Sequence, residues 1–323
     1  MGSGVASRRL GRLVRQHWMM PLLGAAVLWL ATAAITGTLS LRLLLLNATL
    51  ATFLALAGLA QMAVVASGPG SFDLSIPYVI VLAAFAASAV MHASNSMIVP
   101  GILAGLGVGV GAGLLNGLLV IGPRIPPIVA TLAVGYILFT PALQLQGPAA
   151  AGPSPSVVNL VHRQIDGASP VLIITLVICV MVALLFSRTV FGRQLHAVGQ
   201  NRQAAALAGV KVSKIIVGVY LVSGLLGAAT GILLAAYNAG AFINMGNVYL
   251  LGSLAAIVLG GTPVSGGVSS VAGTAIGALV ITLLITVLQL SNLSAGWQDI
   301  LEGLVVITVV ILTSLRGRLN RTI

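Results

Sequence analysis

The chain has 323 residues, of which 59% are hydrophobic and only 6% charged, with a formal net charge of +11. A soluble domain carries roughly 25% charged residues, so this composition excludes an ordinary globular protein and describes one built into a membrane. The cations stand at the ends of apolar segments, where they act as topology signals, which argues against a nucleic-acid partner. The single cysteine, Cys179, lies inside an apolar run and cannot form an intrachain disulfide.

Residues 1–18 carry Arg8, Arg9, Arg12 and Arg15, and an apolar run follows from Met19 to about Gly37. Ala31-Thr32-Ala33 resembles a small-x-small cleavage site. The run is long for a signal sequence and many more follow, so it reads as an uncleaved first span. Apolar runs of spanning length predict helices at about 19–38, 43–66, 74–92, 97–120, 125–146, 168–187, 214–238, 248–263, 267–290 and 297–315. The fold class is therefore all-α: a polytopic membrane protein with about ten transmembrane helices. No stretch is long and polar enough for a soluble domain, so residues 1–323 form a single transmembrane domain.

Ten spans with the N-terminus in the cytoplasm return the C-terminus to the cytoplasm. Arg124, the five cations from Arg188 to Lys214, and Arg316, Arg318 and Arg321 then all fall inside. Only Arg42 and Arg163 fall outside, as the positive-inside rule requires. Spans two to five also resemble spans seven to ten. Gly70-Ser71-Phe72 precedes Tyr78 much as Gly240-Ala241-Phe242 precedes Tyr249, and a glycine-rich fourth span parallels a small-residue ninth. The offset of five spans inverts one unit relative to the other, a pattern of transport proteins that carry their pathway between the repeats.

In span four, Gly101, Gly105, Gly109, Gly113 and Gly117 recur every fourth residue, and Gly107 and Gly111 add a second row. Such spacing lets a neighbouring helix approach backbone to backbone. Asn116 lies among them and either bonds to a neighbouring helix or lines a pathway. The acids are Asp73, Asp166, Asp299 and Glu302. Asp73 either caps the start of span three or serves a pathway, because an acid near the membrane is costly. Asp299 and Glu302 suit the first turn of span ten, and Asp166 reads as a loop residue. If the repeats are inverted, the segments after spans two and seven face each other across the pathway. They bring Asp73 and Ser75 opposite Asn244 and Asn247.

His17, His92, His162 and His196 lack metal-ligand spacing, and neither a P-loop nor a Gly-x-Ser-x-Gly motif occurs. No catalytic residue, metal site or cofactor of this chain's own is expected. One long polar, cation-bearing segment remains, Gly192 to Val212, reading GRQLHAVGQNRQAAALAGVKV within a loop of about 188–213. Its Ala- and Leu-rich run closes on Gly209 as a short helix with a glycine C-cap would. It is either a solvated basic loop that sets topology or a docking surface for a soluble partner.

Three motifs carry a resemblance to a known family. They are Asp73-Leu74-Ser75 after a glycine-containing turn, the Gly192–Gly209 segment, and Ala255-Ala256-Ile257-Val258-Leu259-Gly260-Gly261-Thr262 with Gly266-Gly267 and Gly273-Thr274. Together they resemble the permease subunit of ribose-type sugar ABC importers, in the branched-chain amino acid and sugar permease superfamily. In the second motif Gly192, Arg193, Ala197, Gly199, Asn201, Ala204, Ala205 and Gly209 match the family pattern in register.

The resemblance implies a multi-pass protein of the bacterial inner membrane in which two copies form the pathway. It implies an ABC ATPase partner, which would hold ATP and magnesium, docked on the central loop, and a periplasmic solute-binding protein delivering the solute. Ser71 and Pro77 replace glycines of the family's first motif. Relatives with this pattern handle pentoses, hexoses, other small polar solutes and a furanosyl signalling molecule. The competing readings are an ion-coupled secondary transporter, for which Asp73 is the credible acid, and a permease for amino acids.

Overall fold

The computed structural model describes residues 19–164 and 168–291, with further single or paired positions between 293 and 307. Arg8 to Arg15, Asp166, Asp299, Glu302 and the basic C-terminal tail lie outside the described residues, as does most of the expected tenth span. The described residues hold twelve α-helices and no strand. They are α1 (Met19–Thr36), α2 (Leu41–Val65), α3 (Ile76–Met91), α4 (Ile98–Ile121), α5 (Pro127–Gln144), α6 (Pro155–His162), α7 (Pro170–Arg188), α8 (Val190–Gln200), α9 (Arg202–Leu207), α10 (Val212–Tyr237), α11 (Val248–Leu259) and α12 (Val271–Leu290).

Local chemistry sets the helix starts. Ser40, Ser169, Thr189, Asn201 and Ser270 are N-caps whose side chains accept a first-turn backbone N–H. Pro77, Pro127, Pro155 and Pro170 stand in first turns, where a missing N–H costs nothing. The Pro- and Gly-rich break after span five is itself partly ordered, as a 3-10 turn over Pro148–Ala151 and the short α6.

Six of these helices, counting α4 with its preceding turn, are long and apolar enough to cross a membrane: α2, α4, α5, α7, α10 and α12. Two thirds of the apolar window of α2 and of α10 is buried, against 22% for α7, so α2 and α10 form the inside of the bundle and α7 its edge. The helices α3 and α11 are different. At 16 and 12 residues and 1.5 Å per residue they span about 24 and 18 Å, short of the roughly 30 Å hydrocarbon core. Their N-termini meet inside the bundle, where a Cβ on Gly246 would overlap the Pro77 carbonyl.

The expected repeat is visible in the backbone packing. Gly101 and Gly105 of α4 lie against the carbonyls of Ala87 and Ala83 in α3, and Gly273 and Gly277 of α12 lie against those of Gly260, the C-cap of α11, and of Ala256 within it. Both pairs are antiparallel and share the same four-residue step. The helix α4 crosses α10 antiparallel, with Gly113 on the Tyr220 carbonyl and Gly109 on that of Gly224. Its counterpart is α2 against α12, where Asn47 and Met62 meet Thr286 and Thr274. The central pair α2 and α10 relates the halves and is itself antiparallel. Phe53 packs on Tyr237 at the far end of α10 with ring centroids 5.2 Å apart. The other end of α2 meets α8, which lies ahead of α10 in the chain, as Gly199 sits on the Ala66 carbonyl.

The central loop is more ordered than expected. The expected short helix before Gly209 is α9, and Gly209 takes the left-handed φ of +84°. The residues ahead of it form a second helix, α8. Leu195, Val198 and Gly199 of α8 are buried, which gives it an apolar face.

Candidate solute pathway and coupling surface

Four parts of the chain assemble a buried polar cluster at Asp73. The residue stands in the turn between α2 and α3 and is 2% exposed. Its carboxylate Oδ1 accepts from the Ser75 backbone N–H at 2.9 Å and from the Ser75 hydroxyl. Its Oδ2 accepts from the Ser223 hydroxyl of α10 at 2.7 Å. Asn116 of α4 donates Nδ2–H to the Ser75 hydroxyl at 2.8 Å. Thr131 of α5 accepts the Leu74 N–H at 3.0 Å and so holds the same turn from a further helix.

Asp73 is therefore not the N-cap of α3. That position is Ser75, whose side chain makes no capping bond. Asp73 instead closes the turn just ahead of the helix by bonding two residues on, which an Asp side chain does without disturbing the chain. Ser223 lies eleven residues inside α10, about 16 Å along its axis, so the acid is held well within the bundle. The Asn116 Oδ1 and the Tyr220 hydroxyl are buried without a partner.

Of the sequence-predicted pathway residues, Asp73, Ser75 and Asn116 come together in this cluster. Asn244 and Asn247 do not join it. They stand in the turn before α11 and are exposed, with Asn247 at the N-cap and no side-chain capping bond. Ser223, Tyr220 and Thr131 were missed. Each is an ordinary helix residue in sequence, and only the packing of α10 and α5 on the Asp73 turn reveals it.

At one end of the bundle gather the turns 66–71, 122–126 and 260–270 and the helices α8 and α9. Gly192 and Gly199 are buried because a Cβ at either would overlap the Phe186 or the Ala66 carbonyl. His196 binds the Ser269 hydroxyl at 2.9 Å, and its partial burial lowers its pKa and favours the neutral ring. Asn201 caps α9 by accepting the Ala204 N–H at 3.0 Å. Arg193, Ala197 and Ala204 are exposed, whereas Ala205 is 5% exposed and faces the bundle. The outward apolar residue is Leu207, 91% exposed.

Nine apolar helices, six of them long enough to span and two of the shorter ones meeting N-terminus to N-terminus between inverted halves, define a membrane transport protein. Residues 43–312 match the family described as branched-chain amino acid transport system / permease component, and the chain belongs to that family. It is 34% identical over 254 residues to the autoinducer 2 import system permease protein LsrC of Enterobacter sp. (strain 638), covering 78% of this chain and 73% of that one. It is 36% identical over 217 residues to the LsrC protein of Klebsiella pneumoniae, covering 67% and 62%. It is 32% identical over 246 residues to the ribose import permease protein RbsC of Bacillus subtilis (strain 168), covering 75% and 76%. No solved structure matches the chain.

Proposed function

We propose that the chain is the pathway-forming subunit of an ATP-driven importer for a monosaccharide-like solute and that it works as a pair of copies in the bacterial inner membrane. The observation that carries the paired pathway is the exposure of Asn244 and Asn247 beside the junction of Gly246 with Pro77. In a lone chain these amides would meet hydrocarbon, where an unpaired amide costs roughly 2–7 kcal/mol. A second copy on this face encloses them with the N-terminal ends of α3 and α11 in a polar passage. Passing hydroxyls then exchange water for amides and helix-end N–H groups, held loosely enough for release. Asp73, Ser75 and Asn116 shape that passage from within by fixing the start of α3. The ribose and autoinducer 2 named for the relatives support a small hydroxylated solute, delivered by a soluble binding protein. This chain binds no cofactor in this reading, and ATP and magnesium belong to the partner ATPase.

The end bearing α8 and α9 faces the cytoplasm in this reading, and both chain termini lie on the same side. Single cysteines in a Cys179→Ala background test it. Ala206→Cys, on exposed α9, should react only with reagents that reach the cytoplasm, and Ala150→Cys, in the exposed opposite turn, only from outside. Ser154 in that turn is unsuitable, being fully buried and bonded to Asn95. Labelling of Ala206→Cys from outside would overturn the orientation.

The ATPase docks on α9 in this reading, with Arg193, Ala197 and Ala204 at the rim and Leu207 as the apolar anchor. Gly192, Gly199, Asn201, Ala205 and Gly209 hold the two short helices in shape beneath it. Leu207→Arg should reduce ATPase co-purification and solute uptake at least tenfold while the permease still inserts, because position 207 touches little of its own chain. Normal uptake with the complex intact would remove α9 from the coupling surface. Ala205→Arg is the wrong probe, since that side chain is buried and its loss would report folding.

A further inference from the structure

A cavity of about 380 Å³ opens where the α4–α5 turn meets the starts of α9 and α10, and Arg124, Arg202, Ser213, Ile121, Ile125 and Pro127 line it. The two guanidiniums come from segments 78 residues apart and have no carboxylate between them. Asp73, the acid among the described residues, is bonded to Ser75 and Ser223. Arg202 gives one N–H to the Ser71 hydroxyl at 3.3 Å, which leaves the rest of its five-donor fork free. Arg124 makes no hydrogen bond among the described residues and sits at a φ of +57°, between Pro123 and the Pro126-Pro127 pair. Ser213 stands in the first turn of α10, whose N-cap Lys211 supplies no side-chain cap.

We infer that this cavity binds a phosphate group. Two planar guanidiniums that share a cavity and lack an acid match the oxygens of a phosphate, which they can hold by paired charge-assisted bonds. In the first turn of α10 the N–H groups of Val212, Lys214 and Ile215 are bonded to backbone carbonyls, so the helix start adds the one remaining donor, the Ser213 N–H, beside the Ser213 hydroxyl. Basic pockets between membrane helices take anionic lipid headgroups, and Val120, Ile121 and Ile125 provide an apolar wall for the attached chains. A free phosphate or a phosphorylated solute offers the same chemistry without the chains. Either anion would bridge Arg124 to Arg202 and so tie the α4–α5 turn to the first residue of α9.

Two measurements on the full-length chain separate the sources. Native mass spectrometry with added phosphatidylglycerol, against phosphatidylcholine, reads the headgroup. Thermal protection by inorganic phosphate in phosphatidylcholine nanodiscs, against chloride at equal ionic strength, reads the free anion. At least one should show binding that weakens tenfold or more in the double variant Arg124→Gln with Arg202→Gln. Arg188→Gln with Arg193→Gln removes the same charge elsewhere and should leave binding unchanged. If the double variant does not fold, Arg124→Gln alone carries the test, since that side chain holds nothing else in place. No preference for either anion in the wild-type chain, or equal weakening by both pairs of substitutions, would overturn the inference.

Discussion

Gly224→Val should abolish accumulation of the folded protein, and Gly107→Val should leave it unchanged. The two positions look alike in composition and differ in what a side chain would meet. At the α4–α10 crossing, Gly224 and Gly109 face each other so closely that a Cβ on either would overlap the other's carbonyl oxygen. Gly113 lies against the Tyr220 carbonyl one turn along. Backbone atoms cannot rotate aside as a side chain can, so valine forces the helices apart over several turns. Such overpacking costs about 1–3 kcal/mol and occasionally more, and a clash with fixed backbone on both sides falls at the upper end, a large part of the roughly 5–15 kcal/mol that a folded protein has to lose. It also strips α10 from the helix that carries Asn116. Gly107 and Gly111 have nothing within 4 Å of a built Cβ, so valine there adds only a lipid-facing branch. Size-exclusion profiles of fluorescently tagged variants read the difference. Equal monodisperse peaks for Gly224→Val and Gly107→Val would disprove the tight crossing.

The same crossing shows what the sequence discloses and what it hides. Glycine every fourth residue in span four announces a close helix neighbour, and the partner's own glycines complete the match only in three dimensions. The nine apolar helices, six of them of spanning length, were legible because a bilayer demands apolar runs, and their starts because Ser, Thr, Asn and Pro mark first turns. The inverted repeat was faint for a physical reason. Its conserved element is close backbone approach, as at Gly105 on Ala83 and Gly277 on Ala256, and any small residue satisfies that. The partial crossing of α3 was hidden because hydropathy registers an apolar run without saying where in the membrane it begins, whereas α11 falls in the eighth run, which is short already in the sequence. Helix α8 was read as loop because its polar residues, including Arg193 and Gln194, outnumber the Leu195 and Val198 that anchor it.

Asp73 stands out in the sequence as an acid near the membrane within the Asp73-Leu74-Ser75 motif, and Asn116 as an amide in a membrane helix, whereas Ser223, the partner of Asp73 150 residues away, carries no sequence mark. The geometry gives it a definite expectation: Asp73→Leu should lose most uptake and much of the folded protein, and Asp73→Asn should keep both. Leucine removes the acceptor of the Ser75 N–H inside the bundle, and a buried unpaired donor costs roughly 1–3 kcal/mol. The Ser75 hydroxyl loses its acceptor too, so the turn ahead of α3 is freed from α10. Ser223 is the one partner that can recover, by turning its hydroxyl to a carbonyl of its own helix. Asparagine keeps an oxygen for the Ser75 N–H and offers its amide to the Ser223 hydroxyl, which can accept as readily as it donates. The partners of Asp73 are hydroxyls and a backbone N–H, so hydrogen-bonding shape rather than charge is what the site uses. Uptake of Asp73→Asn should therefore stay within about threefold of wild type at equal protein level, while Asp73→Leu falls more than tenfold. A folded Asp73→Asn that assembles with its ATPase yet transports nothing would mean that the charge itself takes part in transport, as an ion-coupled carrier requires.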